Sequence, residues 1–270
     1  MNPIGGASSL SATAGTDAVT TLFPPRDDWS GLAHASGRLG VPLDPQAVAR
    51  FARYRDLLLE RSRQFNLTAI RDPEEIDRRL FLDSISMIPE LDRRTGSNRP
   101  DRNVQMVDVG AGAGFPGLAL KIVRPALDLT LIDATAKKVA FLSEVIAALE
   151  LDRVRAVQGR AEELGQDERY RSRFDVATAR AVASLPVLLE YVVPFLTTSG
   201  TALLPKGLEI AEELRLGRRA GEILGAEIAS AEQLPFSTTR LVVVKKISPT
   251  AALYPRRAGI PSRDPLGERS

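Results

Sequence analysis

One stretch constrains this chain more than any other: Val107-Asp108-Val109-Gly110-Ala111-Gly112-Ala113-Gly114-Phe115-Pro116-Gly117. It reads as a hydrophobic strand, a glycine-rich turn and an apolar helix that continues through Leu118, Leu120, Ile122 and Val123. Glycine takes backbone conformations that a side chain blocks, and it lets a ligand approach the main chain closely. A strand–glycine loop–helix unit is a candidate nucleotide-type site, and it commits the chain to an α/β fold.

The pattern around the loop agrees. Strands are predicted over 105–109, 127–133, 153–158, 174–178, 201–204, 227–234 and 241–247, and helices over 114–124, 136–150, 185–196 and 208–224. Such alternation implies a mostly parallel seven-stranded sheet covered on both faces. The last two strands are joined by a short link through Pro235 and Thr238 and form an antiparallel pair. Before this domain, assigned to 101–248, residues 45–100 read as a helical subdomain with a linker over 92–103. Asp44-Pro45 and Asp72-Pro73 each supply an N-cap followed by proline at the first helical position. Val48, Phe51, Tyr54, Leu57 and Leu58 recur at helical spacing. Residues 1–44 are rich in Gly, Ala, Ser, Thr and Pro and read as a disordered tail, with His34 solvated in it. Residues 249–270 read as a basic Pro/Arg-rich tail with no regular helix.

Composition removes several chemistries. With no cysteine and one histidine in 270 residues, disulfides, thiolate metal sites, a cysteine nucleophile and multi-histidine metal sites are excluded, and no metal is expected. No apolar run is long enough to cross a bilayer and no signal-peptide pattern is present, so a cytoplasmic protein without a membrane partner is expected. A net charge of +2 does not by itself announce a nucleic-acid binder.

The glycine loop fits two registers. Gly110-x-Gly112-x-Gly114 is the pattern of S-adenosylmethionine (SAM) enzymes, and Gly112-x-Gly114-x-x-Gly117 is the dinucleotide fingerprint. Asp108, at the strand's mouth, would repel a pyrophosphate and attract the cationic groups of SAM, so the acid favours SAM. Asp133 ends the second strand, where an acid accepts from ribose hydroxyls of either cofactor. Ala161-Glu162 follows the third strand, where an adenine edge could be read; the same residues suit the start of a short exposed helix. Arg180 and Lys206 follow neighbouring strands at the ligand-binding end of the sheet. Together they could hold a nucleic-acid phosphate or base edge, and each alone is more often a salt-bridge or surface residue.

These motifs resemble one family. Asn66-Leu67-Thr68, Leu82-Asp83-Ser84, the loop itself, Ile122-Val123-Arg124-Pro125, Lys137-Lys138-Val139-Ala140-Phe141-Leu142, Gly159-Arg160-Ala161-Glu162-Glu163, Ala179-Arg180-Ala181, Leu204-Pro205-Lys206-Gly207 and Tyr254-Pro255-Arg256-Arg257-Ala258-Gly259-Ile260-Pro261 closely resemble the bacterial small-subunit ribosomal RNA guanine-N7 methyltransferases, first called glucose-inhibited division protein B. The resemblance spans about 46–265. It implies a Rossmann-like class I SAM-dependent methyltransferase with an N-terminal helical subdomain, acting as a cytoplasmic monomer on 16S ribosomal RNA or the 30S particle. It also implies that Gly110 and Phe115 contact SAM, that Ala161 and Glu162 lie on the adenine side, and that Arg180 stands near the reaction centre. Gly112, Gly114, Asp108, Asp133 and Arg180 complete the expected cofactor site, with Arg180 and Lys206 as the catalytic residues that steer the guanine. Two positions depart from the family: Leu80 stands where many members have histidine, and the tryptophan often found before Asn-Leu-Thr is absent.

Guanine N7 has a lone pair and no proton to lose, so direct in-line transfer needs positioning and charge management rather than a general base. That suits a chain with no cysteine and its one histidine in the tail. The Asn/Asp-Pro-Pro-aromatic motif of amino-group methyltransferases is absent after the fourth strand. N7 lies on an edge that side chains cannot reach in an A-form helix, so the target base is expected to be unpaired or displaced. A methyltransferase for another substrate, a nicotinamide-dependent oxidoreductase and a non-catalytic ribosome-binding module are the rival readings.

Overall fold

The computed structural model describes residues 30–64, 66–96 and 103–268. Its strands are β1 (Gln105–Val109), β2 (Asp128–Asp133), β3 (Val154–Gln158), β4 (Phe174–Thr178), β5 (Leu196–Lys206), β6 (Ala226–Gln233) and β7 (Arg240–Lys246). They form a seven-stranded sheet in the order β3-β2-β1-β4-β5-β7-β6. β1 to β5 pair in parallel, while β7 runs antiparallel to both β5 and β6. The expected α/β sheet with its antiparallel element is therefore present, and it has the Rossmann-like architecture that the resemblance implied.

The strand order reverses at β1, where β2 leads one way and β4 the other. Ligands in open parallel sheets bind at such a switch point, beyond the carboxyl ends of the strands. Side-chain alternation along β1 and β2 feeds a core on each face. Met106, Leu129 and Leu131 join the core under the N-terminal helices, and Val107, Val109 and Ile132 join the one under the helices Leu185–Val192 and Ala211–Leu224.

The N-terminal helices start where the caps place them. Asp44 accepts from the Ala47 amide at 2.7 Å to open the helix Pro45–Ser62, and Asp72 accepts from Glu75 at 2.9 Å to open Pro73–Ile76. That second helix widens into a π-helical turn, Asp77–Leu82, before Asp83–Ile85. A π turn turns later side chains to another face of the helix, and such turns recur at functional sites.

Several boundaries differ from the sequence expectation; the helices expected from 114 and 208 begin at Gly117 and Ala211. The tail expected to run to residue 44 carries a helix, Ser30–Arg38, that buries Leu32, Ala35 and Ser36 and leaves His34 exposed. Its small residues hide the apolar stripe from a periodicity reading; residues 1–29 lie outside the described residues. The linker expected from 92 begins only after Thr95, because Asp92 accepts two bonds from Arg124 (2.6 and 2.9 Å) and Gly96 ends the helix with φ +68°. The helix expected over 185–196 stops at Val192, and Pro194 lies in the 3-10 turn Val193–Phe195 that leads into a longer β5. The basic tail, expected to be irregular, contains the one-turn helix Ile260–Arg263 with Pro261 in its first turn, where a missing N–H costs nothing.

Candidate cofactor and substrate site

The glycine loop leaves β1 with positive φ at Gly110 (+70°), Gly112 (+60°) and Gly114 (+98°), a path that L side chains resist. A Cβ on Gly110 would also stand 2.7 Å from Val182 Cγ2. The loop is pinned on three sides. Ala111 N–H donates to the Ile132 carbonyl at 2.9 Å, and Gly112 N–H donates to Asp133 Oδ2 at 3.0 Å. From the helical subdomain the Tyr54 hydroxyl donates to the Ala113 carbonyl. The Tyr54 ring stacks on Phe115, centroids 5.2 Å apart and planes 5° from parallel, with Phe81 tilted against both. Burial, and secondarily the Asp108 charge, push the Tyr54 phenol well above its ordinary pKa, so it remains a donor.

Asp108 lies beneath the loop rather than in the cavity wall. It is fully buried, and its Oδ2 accepts from Gly117 N–H at 2.9 Å. A Cβ on Gly117 would fall 2.7 Å from that oxygen. The third glycine of the dinucleotide register is thus explained by the approach of Asp108, with no pyrophosphate required. Burial pushes the Asp108 carboxyl up to about 7, the Gly117 N–H opposes the rise and the Asp133 charge adds to it. Its Oδ1 is buried without a hydrogen-bond partner among the described residues.

Above the loop lies a cavity of about 480 Å³, walled by Gly110, Ala113, Phe115, Asp133, Leu80 and Arg180. A second of about 180 Å³ adjoins it, walled by Ile132, Gly159, Ala161, Glu162 and Tyr191. Gly110, Asp133, Ala134 and Val182 border both, so the two form one bent site. Asp133 sits at the bend; its Oδ1 accepts from Thr135 N–H at 2.8 Å, and Lys138 Nζ is 3.8 Å from Oδ2. Glu162 is buried, with Oε1 accepting from Gly259 N–H at 3.0 Å. The C-terminal segment is therefore a strap tied to Glu162 in the wall of the second cavity. Arg256 makes a bidentate pair with the wholly buried Glu190, and Tyr191 exchanges a bond with Ser262 at 2.9 Å. Arg256 of the basic tail is thus part of this strap.

Arg180 and Lys206 do not converge. Arg180 stands in the cavity wall, its Nη2 donating to the Arg79 carbonyl at 2.6 Å and lying 3.3 Å from Asp83 Oδ2. Burial pushes its guanidinium pKa down, and the Asp83 charge opposes that. Lys206 does not line the cavity. Its ammonium donates to the Ala183 carbonyl at 2.9 Å and pairs with Glu213 at 2.7 Å, while Glu213 also accepts from Leu185 N–H at 2.7 Å. Lys206 thus fastens the segment that carries Arg180. Gly112 is reached by Asp133, and Gly114 packs where a Cβ would strike the Tyr54 hydroxyl and Leu118. Tyr54, Asp83 and Val182 escaped the sequence reading as site residues; of these only Asp83 carried a signal, as part of the Leu82-Asp83-Ser84 motif.

The family model described as rRNA small subunit methyltransferase G, GidB, matches residues 47–240. The chain belongs to that family. Its relatives include the ribosomal RNA small subunit methyltransferase G of Acetivibrio thermocellus, 44% identical over 86% of this chain and 93% of that one. Those of Alkaliphilus oremlandii and Chloroflexus aggregans are 41% and 43% identical, each over 84% of this chain and over 94% and 93% of theirs. As a member of the methyltransferase G family the chain is an enzyme, and the bent site at the switch point is where its loop, Asp133 and Arg180 meet. Among the described residues no helix is long and apolar enough to cross a membrane, and no cluster of three or more His, Cys, Asp or Glu could hold a metal ion.

Proposed function

We propose that this enzyme transfers a methyl group from SAM to N7 of a guanine in small-subunit (16S) ribosomal RNA, working as a cytoplasmic monomer on the naked RNA or the 30S particle. The observation that carries the reading is the bent cavity at the switch point, with Asp133 at its bend and Arg180 in its wall, in a chain of this family. The fit to the cofactor rests on the cradle: three positive-φ glycines, two of which would bring a Cβ within 3 Å of a neighbouring side chain, and two joined chambers for a two-part molecule. When bound, SAM supplies an electrophilic methyl on a positively charged sulfur. Gly110, Gly112 and Phe115 would hold it on the side of the larger chamber, and Ala161 and Glu162 on the side of the smaller. Asp133 would accept from it at the bend, and Gly114 and Asp108 keep the loop in shape from below.

The residues around the larger chamber then have one task, to present guanine N7 and to exclude water. No side chain has to remove a proton, because N7 has none. Arg180, a permanent donor, steers the base edge, and Lys206 supports it by fixing the segment 183–185. The test supplies tritiated SAM with naked 16S RNA and with 30S particles, and maps the labelled base by nuclease digestion and chromatography. Label as 7-methylguanine is expected. No incorporation on either substrate, or label on an exocyclic amine, refutes the assignment; binding of NAD in place of SAM would refute the cofactor as well.

A further inference from the structure

Methyl transfer leaves one buried acid at the site without a task. Asp83 follows the π-helical turn, and its side chain is 14% exposed. Its Oδ1 accepts from the Ser237 hydroxyl at 2.7 Å, and its Oδ2 accepts from the Thr239 hydroxyl at 3.1 Å and faces Arg180 Nη2 at 3.3 Å. The Arg79 carbonyl, from the same helix, takes the same Nη2. So Asp83 joins three distant parts of the chain: the N-terminal helix, the link between β6 and β7, and the segment after β4. Burying a carboxylate costs several kcal/mol unless partners surround it, and a network with every oxygen engaged fixes its members in one geometry.

The geometry around Arg180 is one-sided. Nη2 is engaged twice, while Nε and Nη1 make no hydrogen bond with the described residues, although the side chain stands in the cavity wall. A guanidinium can only donate. Adenine and guanine both carry N7 as an acceptor and differ beside it: guanine has the O6 acceptor, adenine an N6 amino donor. A donor bonded to N7 would occupy the lone pair that must react, which leaves O6 as the productive acceptor. Resting on the reading of this chain as a guanine-N7 methyltransferase, we infer that Asp83, tied to the β6–β7 link through Ser237 and Thr239, is a positioning residue that aims the free edge of Arg180 at O6 of the target guanine. Without it, a flexible arginine has to be ordered anew by each substrate.

The test is a mutant cycle read as single-turnover methylation with excess enzyme and saturating SAM. Wild type, Asp83→Asn, Arg180→Ala and the double variant are compared, together with their SAM dissociation constants. Asp83→Asn is expected to slow transfer about tenfold to a hundredfold with the SAM constant within about twofold, and to cause no further loss once Arg180 is alanine. If the two losses multiply, or if Asp83→Asn transfers at the wild-type rate, the inference is overturned while the guanine-N7 reading stands. Replacing the target guanine by 2-aminopurine, which lacks O6, is expected to slow the wild type and to leave Arg180→Ala unaffected; equal losses in both overturn the O6 contact. No N7 product from the wild type would instead remove the underlying reading. Should Asp83→Asn fail to fold, Ser237→Ala/Thr239→Val removes the two hydroxyl donors and keeps the charge. A loss of about threefold that vanishes in the Arg180→Ala background is then expected, and no loss overturns the inference.

Discussion

Tyr54→Phe isolates the tether between the helical subdomain and the cofactor loop. The substitution removes one oxygen and keeps the ring, so the stack on Phe115 and the contacts with Phe51's neighbour Phe81 persist and no large cavity opens. What is lost is a fully buried hydrogen bond to the Ala113 carbonyl, in a residue only 7% exposed. Leaving a buried carbonyl without its donor costs about 1–2 kcal/mol. The unfolding free energy in urea should fall by that amount with an unchanged denaturant slope. If the tether also holds the loop in its binding shape, part of the same energy appears in ligand affinity, where about 1.4 kcal/mol is tenfold. Isothermal titration calorimetry should therefore find SAM bound about threefold to tenfold more weakly. Lower stability with unchanged SAM affinity would refute the idea that the helical subdomain shapes the loop. No change in either would refute the buried bond itself.

Further outcomes follow from other parts of the site. Asp108 and Asp77 both have carboxyls pushed up to about 7, first by burial, so the native state holds protons that the unfolded chain releases near pH 4. Stability is fully supported below pH about 4 and is lost as pH rises through about 7, by up to about 1.4 kcal/mol per pH unit for each group; Asp108→Asn should flatten that slope in urea titrations between pH 5 and 7, and an unchanged slope would count against a raised Asp108. Arg256→Ala strands the buried Glu190 carboxylate and should cost about 3–5 kcal/mol by thermal unfolding, whereas a loss under about 1 kcal/mol would mean the strap is loosely held. Gly114→Ala combines a positive φ with a collision against the Tyr54 hydroxyl and Leu118, and should weaken SAM binding far more than Gly37→Ala, whose Cβ meets nothing within 4 Å; equal affinities would refute the packing argument.

Much of the fold was legible because its signals are local. Asp44-Pro45 and Asp72-Pro73 announce helix starts through bonds that span three residues, and Met106 and Val107 already alternate between two faces within β1. The glycine loop and Asp133 were legible for the same reason, since a loop after one strand and an acid ending the next meet in any parallel pair. The rest depends on contacts that no spacing encodes. Tyr54 reads as one more apolar position of a helix stripe, yet its hydroxyl finds a carbonyl 59 residues away. Asp83 finds its hydroxyl partners 154 and 156 residues away. Arg180 and Lys206 sit at corresponding strand ends, which suggested convergence, but Glu213 draws the lysine to the back of the segment instead. The acid that favoured SAM in the sequence turned out to hold the loop from beneath, where its charge is felt only through buried surroundings.

The C-terminal strap has a consequence for biosynthesis. Gly259 bonds Glu162, in the wall of the smaller chamber, and Arg256 neutralises the buried Glu190, which stands next in sequence to Tyr191 of the same wall. A chain is made from its N-terminus, and domains begin to fold as they emerge. The sheet, the glycine loop and the helical subdomain are all complete in sequence before residue 250, so the scaffold can assemble while the segment that holds Glu162 and Tyr191 in the wall of the smaller chamber has yet to be translated. Messages truncated between the codons for Lys246 and Arg256 would yield a protein with every strand in place but with Glu162 and the buried Glu190 robbed of their partners. Such a product is expected to be less stable and to hold the Glu162 side of the site less firmly than the full chain, so a newly made molecule reaches its final form only when its last segment docks.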